Sequence, residues 1–307
     1  MAAFATCSFA QQWSIVQTQH FELYTSGDPN AGRSAAIFFE QVHDLFAGWN
    51  AKEPASSPRV RIIVFQSDEE YRHFQPNSLA AAFFLSGPAG DFIVTRNLTP
   101  ETYPVAVHEY VHLVVKRSGL RITTAMNEGL AEFYSTLHVT PAGIEIGTPP
   151  VARLFTLRYA KLIPLADLFA VGTRSPIYRD RAQAETFYAE SWALTHMLLL
   201  SPEYRDKTTS YARDMQGSDP VAALESITGK PAHQILSDLH HYVHRDRFVT
   251  AVLDGKWDAR RPQPESRPAT RYESGMALAA LLDTLGRHAE ARARYDALAA
   301  GGSESRN

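Results

Sequence analysis

His108-Glu109-Tyr110-Val111-His112, followed by Asn127-Glu128-Gly129-Leu130-Ala131-Glu132, decides the reading of this chain. Residues four apart on a helix share a face, so His108 and His112 turn two imidazoles toward one point. Glu109 lies about 100° around that helix from His108, where a carboxylate can reach a metal-activated water. A hydrolytic zinc site takes a third protein ligand and leaves a fourth position open, and Glu128 can supply the third. The expectation is a zinc hydrolase, foremost a peptidase, with one Zn2+ per chain.

The surroundings of both motifs suit this reading. Val105, Val107, Val111, Leu113, Val114 and Val115 make the first motif part of an apolar, largely buried helix. Pro104 fits its first turn, and Gly119 after Lys116-Arg117 fits its end. From Ala125 to His138 a second helix places Met126, Leu130, Phe133, Tyr134 and Leu137 on a core face. Glu128 and Glu132 are four apart and face the same way, so one can bind metal while the other accepts the free N–H of a ligating imidazole. Like charges at that spacing repel, which calls for a nearby cation.

HExxH followed by N-E-G-x-x-E resembles the gluzincin metallopeptidases, the group that contains thermolysin and the zinc aminopeptidases, and within it the bacterial peptidase MA-like domains. The resemblance covers residues 18–248. It implies an α+β, thermolysin-like zincin: a small mixed N-terminal sheet, the HExxH helix, a mostly helical lobe and a C-terminal helical hairpin. It further implies His108, His112 and Glu128 as zinc ligands, Glu109 as general base and Glu132 as support behind the ligands. Only fifteen residues separate His112 from Glu128, and the G-x-M-E-N segment that anchors a substrate amino terminus in the aminopeptidases is replaced by Ser86-Gly87-Pro88-Ala89-Gly90-Asp91. An endopeptidase is therefore favoured over an aminopeptidase. Similar domains carry a helix like Tyr188-Ala189-Glu190-Ser191-Trp192-Ala193-Leu194, which makes Tyr188 and His196 the candidate donors to a tetrahedral oxyanion. The alternative is an inactive peptidase-like module that binds peptides or proteins.

Ahead of the motif, Phe21–Tyr24 and Arg59–Phe65 read as strands around a helix at Ala35–Trp49. Ala82–Leu85 and Phe92–Thr95 flank a Gly-Pro-Ala-Gly turn and form a hairpin whose edge strand suits peptide addition. After the second helix the pattern is almost wholly helical. His233, His240, His241 and His244 lack a completing ligand and read as a solvated helix face.

Residues 254–271, Pro/Arg-rich from 258, read as a linker. Residues 272–300 resemble a single tetratricopeptide repeat with its turn at Gly286, which must dock on the catalytic domain, pair with another chain or open an array. A protein partner through this segment is the corresponding expectation. A net charge of −3 with both signs interspersed gives no indication of nucleic acid or an anionic membrane, and 45% hydrophobic residues suffice for a substantial core. No stretch approaches the roughly 20 apolar residues of a membrane span. Cys7 is the sole cysteine. Residues 1–10, ending Ser8-Phe9-Ala10, read as the remnant of an export signal, so a periplasmic or extracellular location is expected, with the cytoplasm as the alternative.

Overall fold

The computed structural model describes residues 12–47, 57–76, 80–172, 174–208, 218–253 and 263–304. Contacts divide the chain into two units. One comprises residues 1–43, 54–106 and 258–307, the other residues 44–53 and 107–257. These units cut across the ranges expected from sequence, because the C-terminal segment belongs with the N-terminal one. The expected export remnant and residues 254–262 of the expected linker lie outside the described residues.

The first unit is built on a mixed sheet. Strands β1 (Ser14–Gln17) and β2 (Phe21–Thr25) pair antiparallel, and helix α1 (Pro29–Leu45) carries the chain over to β3 (Val60–Phe65), which lies parallel to β2. Ala35, Ala36, Phe39 and Val42 form the buried stripe of α1. β3 reads Val-Arg-Ile-Ile-Val-Phe and is buried at all but Arg61, as expected for an internal parallel strand covered on both faces. Helix α2 (Asp68–Phe74) begins in a capping box between Ser67 and Glu70. The expected hairpin follows as β4 (Ala82–Gly87) and β5 (Gly90–Arg96), turning between Gly87 and Gly90 with φ of Gly90 at +122°. β5 lies parallel to β3, which leaves β4 at one edge of the sheet.

The second unit surrounds one buried helix. Helix α3 (Tyr103–Ser118) carries the HExxH sequence, with Pro104 in its first turn and Gly119 in the left-handed conformation (φ +71°) at its end. Helix α4 (Thr124–Ser135) is capped by the Thr123 hydroxyl, which accepts the Met126 N–H. It stops three residues before His138, where the sequence pattern placed its end. His138 instead opens β6 (His138–Thr140), which forms a three-stranded antiparallel sheet with β7 (Gly143–Ile146) and β8 (Ala251–Leu253). This sheet was not expected. Its outer pair joins residues about a hundred positions apart, and such pairing leaves no local periodicity to read. Helices α5 (Val151–Tyr159) and α6 (Leu165–Ala170) lead to α7 (Arg181–Leu200), whose residues from Phe187 onward are buried on nearly every face, with Trp192 fully enclosed. A single turn, α8 (Arg205–Thr208), precedes α9 (Pro220–Thr228) and α10 (Ala232–Val243). His233, His240, His241 and His244 are exposed, as a solvated face requires.

The chain then returns to the first sheet. Ser266–Pro268, expected to be linker, is a strand (β9) paired antiparallel with β1. Pro268 ends that edge strand, where the missing N–H costs least. Helices α11 (Arg271–Thr284) and α12 (His288–Glu304) form the helical hairpin, turning at Gly286 with φ +78°. Gly275 lets the two helices meet closely, since a Cβ there would lie 2.7 Å from Leu298 Cδ2. The hairpin is neither free nor open to an array on its inner side. Leu278, Leu281 and Leu282 pack with Ile15, Tyr24, Ile63, Phe65 and Phe83 in one apolar cluster. Mixed α/β content with two separate sheets agrees with an α+β class.

Truncating a fully buried leucine removes its transfer energy and leaves a cavity. Leu281→Ala should therefore cost about 2–5 kcal/mol in chemical denaturation, while Arg292→Ala on the exposed face of α12 should be near neutral. An unchanged midpoint for Leu281→Ala would show that the hairpin does not hold on the sheet.

Candidate metal centre

His108, Glu109 and His112 project from α3, and Glu128 and Glu132 from α4, all within the second unit. The two helices meet so that Glu128 Oε2 lies 3.2 Å from His108 Nε2 and 3.5 Å from His112 Nε2. The ligand atoms of all three residues lie within 4.8 Å of one another. Two ligands about 2.0–2.1 Å from a tetrahedral zinc stand roughly 3.3–3.4 Å apart. The carboxylate–imidazole separations bracket that value. Glu128 Oε2 is buried, and neither imidazole meets it in hydrogen-bond geometry. Converging donors that do not bond one another are what a cation between them would satisfy.

A second His/Glu group in the first unit, His20, Glu40 and His43, provides a contrast. There Glu40 accepts from the His20 backbone at 2.9 Å and meets His20 Nδ1 at 2.7 Å, a charge-assisted hydrogen bond shorter than any ligand edge. The His20 and His43 rings stack at 3.6 Å and 10°, so their in-plane lone pairs run parallel and do not converge. Chemistry of the donor set favours the α3–α4 group.

The acid and the imidazoles of that group stabilise one another's charged forms. Burial alone would raise the Glu128 carboxyl, but the facing imidazoles of His108 and His112 hold it down to about 2. Burial alone would lower His112, but Glu128 outweighs it, with help from Glu109 and Asn127, and lifts it to about 9. Glu109 is half-buried one residue after His108, and its charge is felt by His112.

Glu132 departs from its expected role. Its Oε1 is 3.7 Å from His108 Nδ1, beyond a hydrogen bond, while Arg153 of α5 grips both carboxylate oxygens through Nε at 2.9 Å and Nη2 at 2.7 Å. Arg153 is the cation that the Glu128–Glu132 spacing called for. Sequence reasoning passed over it because α5 is joined to the site only by the fold. Asn127, also passed over, sits inside the quoted motif beside Glu128.

Of the two oxyanion candidates, Tyr188 is half-buried on this side of α7, with the Arg153 guanidinium 5.3 Å from its ring centre. His196 requires correction. It is fully buried, its Nε2 lies 2.8 Å from the Gly147 carbonyl and its Nδ1 2.7 Å from the Tyr242 hydroxyl. A carbonyl only accepts, so Nε2 carries the proton and Nδ1 accepts from Tyr242. Both nitrogens are committed, burial lowers its pKa, and no donor remains for a substrate.

Gly129 explains how Glu128 is placed. A Cβ on it would fall far inside contact distance of the Ser191 carbonyl and the Thr195 hydroxyl of α7. Gly129→Ala should force the two helices apart, lower the melting temperature and displace Glu128 from His108 and His112, so that any metal uptake by this group falls with stability. A variant with wild-type melting temperature would refute this account.

Glu190 of α7 is fully buried, its Oε2 accepts the Ile163 N–H at 2.7 Å, and burial pushes its pKa up to about 8 despite that bond. The folded pKa is raised, so the unfolded chain releases this proton first, and stability falls as pH rises from the ordinary carboxylate range toward 8. Glu190→Gln should flatten that slope and stabilise the protein by a few kcal/mol at pH 8 but not at pH 4. Urea midpoints at both pH values test this, and parallel pH profiles for the two proteins would count against it. No protein-family model matches the chain, and no curated protein or solved structure is detectably similar to it.

Proposed function

We propose that this chain is a zinc-dependent metallopeptidase of the thermolysin-like, gluzincin type, hydrolysing peptide bonds in a peptide or protein substrate. The observation that carries the proposal is the convergence of His108, His112 and Glu128, with Glu128 Oε2 3.2 and 3.5 Å from the two imidazole nitrogens and all three ligand atoms within 4.8 Å, and with Glu109 on the same helix. One Zn2+ held by those three residues would supply Lewis acidity, polarising the substrate carbonyl and acidifying a water. Glu109 takes the proton of the attacking water and hands it to the departing amine nitrogen. Tyr188 is the remaining candidate donor to the oxyanion. Arg153 and Glu132 neutralise one another behind His108. The absence of a G-x-M-E-N segment from the sequence favours endopeptidase over aminopeptidase action, and residues 1–10 favour export.

Metal analysis by mass spectrometry should find about one zinc per wild-type chain and a marked loss in Glu128→Ala. Glu109→Gln should keep the zinc yet lose about 10²–10⁴-fold in turnover on casein or a quenched peptide library. A wild type that takes up no zinc on reconstitution would sink the hydrolase reading. Wild-type turnover in Glu109→Gln would sink the assignment of the base.

A further inference from the structure

A cluster of titratable side chains in the first unit has no part in the metal chemistry: His20 in the turn from β1 to β2, with Glu40 and His43 on α1. His20 is fixed by Glu40 at two points. Its backbone N–H reaches Oε1 at 2.9 Å and its ring Nδ1 lies 2.7 Å from Oε2, so the ring is held in one orientation. Glu40 is only 3% exposed. Burial alone would raise its carboxyl, but the hydrogen bonds from His20 and Thr18 hold it down to about 2, so it stays charged through mild acid. His43 lies flat on the fixed ring, with centroids 3.6 Å apart and planes 10° from parallel. It also meets the fully buried Phe21 ring edge-on at 6.3 Å.

One carboxylate beside one imidazole supports one positive charge. Two imidazolium rings face to face at this distance repel, and Glu40, already held by His20, cannot neutralise both. The other charged groups that these elements bring alongside are Asp44, next after His43 on α1, Glu22 of β2, and Arg59 just ahead of β3. Arg59 donates to the Gln19 carbonyl at 3.4 Å and stands 4.0 Å from Glu22, so those two offset one another beside the turn. We propose that the His20–His43 stack is a pH-sensitive latch of the first unit, closed while the pair carries at most one positive charge and opened by the second. The stack disfavours the second proton, so the open arrangement takes it up first. Opening is therefore driven as pH falls below the ordinary imidazole range, about 6.5. His43, the ring that Glu40 does not hold, is the one that leaves, and its departure uncovers the edge of Phe21. The latch stands whether or not the chain cleaves peptides.

The test follows the histidine ring signals of the full chain by NMR from about pH 8 to about pH 4. His43→Phe, which keeps a stacked ring that cannot charge, identifies the His43 signal among the twelve histidines, and His43→Gln serves the same purpose if the larger ring does not fold. His20 and His43 should take up their protons in two steps at least about one pH unit apart, with His43 second and its ring-current shift collapsing in that step. In urea, folded His43→Phe should lose less stability than the wild type between about pH 7 and about pH 5. Both rings titrating in a single step would overturn the latch, as would a His43 ring that charges with its ring-current shift intact. Equal loss of stability in wild type and folded His43→Phe would overturn it too.

Discussion

Helix α4 meets α7 nearly backbone to backbone, and Gly129 is the residue that permits it: any side chain there would occupy the space of the Ser191 carbonyl. Glu128 and Glu132 flank that contact on α4, and Glu190, Trp192 and Thr195 lie buried around it on α7. Close packing cannot absorb even one added methyl group without shifting backbone. The position of Glu128, and with it the convergence of three ligand atoms, is therefore set by a helix crossing and not by the ligands themselves. Stability and the geometry of the candidate metal group depend on the same contact.

Charge compensation is arranged in a chain outward from the ligands. The two imidazoles stabilise the Glu128 carboxylate against its burial, and Arg153 does the same for Glu132 through a side-on, bidentate pair. Leaving either acid without its partner would strand a desolvated charge, which costs several kcal/mol. Glu190 stands apart as a buried carboxyl with a single hydrogen bond from Ile163, and it responds by holding its proton. Glu128 in α4 and Glu190 in α7, both buried, thus shift in opposite directions because their neighbours differ.

The first unit solves a separate problem. Its sheet has an apolar face formed by Ile15, Tyr24, Ile63, Phe65 and Phe83, and the chain covers it with its own C-terminal hairpin. β9 extends the same sheet and closes the connection. A single repeat-like hairpin cannot bury its inner face alone, and docking on the sheet answers both needs at once.

Local sequence was enough for whatever local physics decides. The spacing of His108, His112 and the acids, the stops at Gly119 and Gly286, the hairpin turn around Pro88-Ala89 and the apolar run of β3 were all legible, because helical period, left-handed glycine and β-branching act within a few residues. The sequence could also state that Glu128 and Glu132 needed a cation. It could not say that Arg153 was that cation, that His196 would be sealed in the core by Gly147 and Tyr242, or that residues 251–253 would pair with 144–146. Nor could it show that the linker-like stretch around Ser266 would be a strand. Those outcomes depend on contacts between segments tens to hundreds of residues apart, where the partner is chosen by packing and burial. The sequence by itself determined which polar groups lie close together along a helix; only the folded arrangement decided which of them stay uncommitted, because burial ties the others to neighbours that no local pattern identifies.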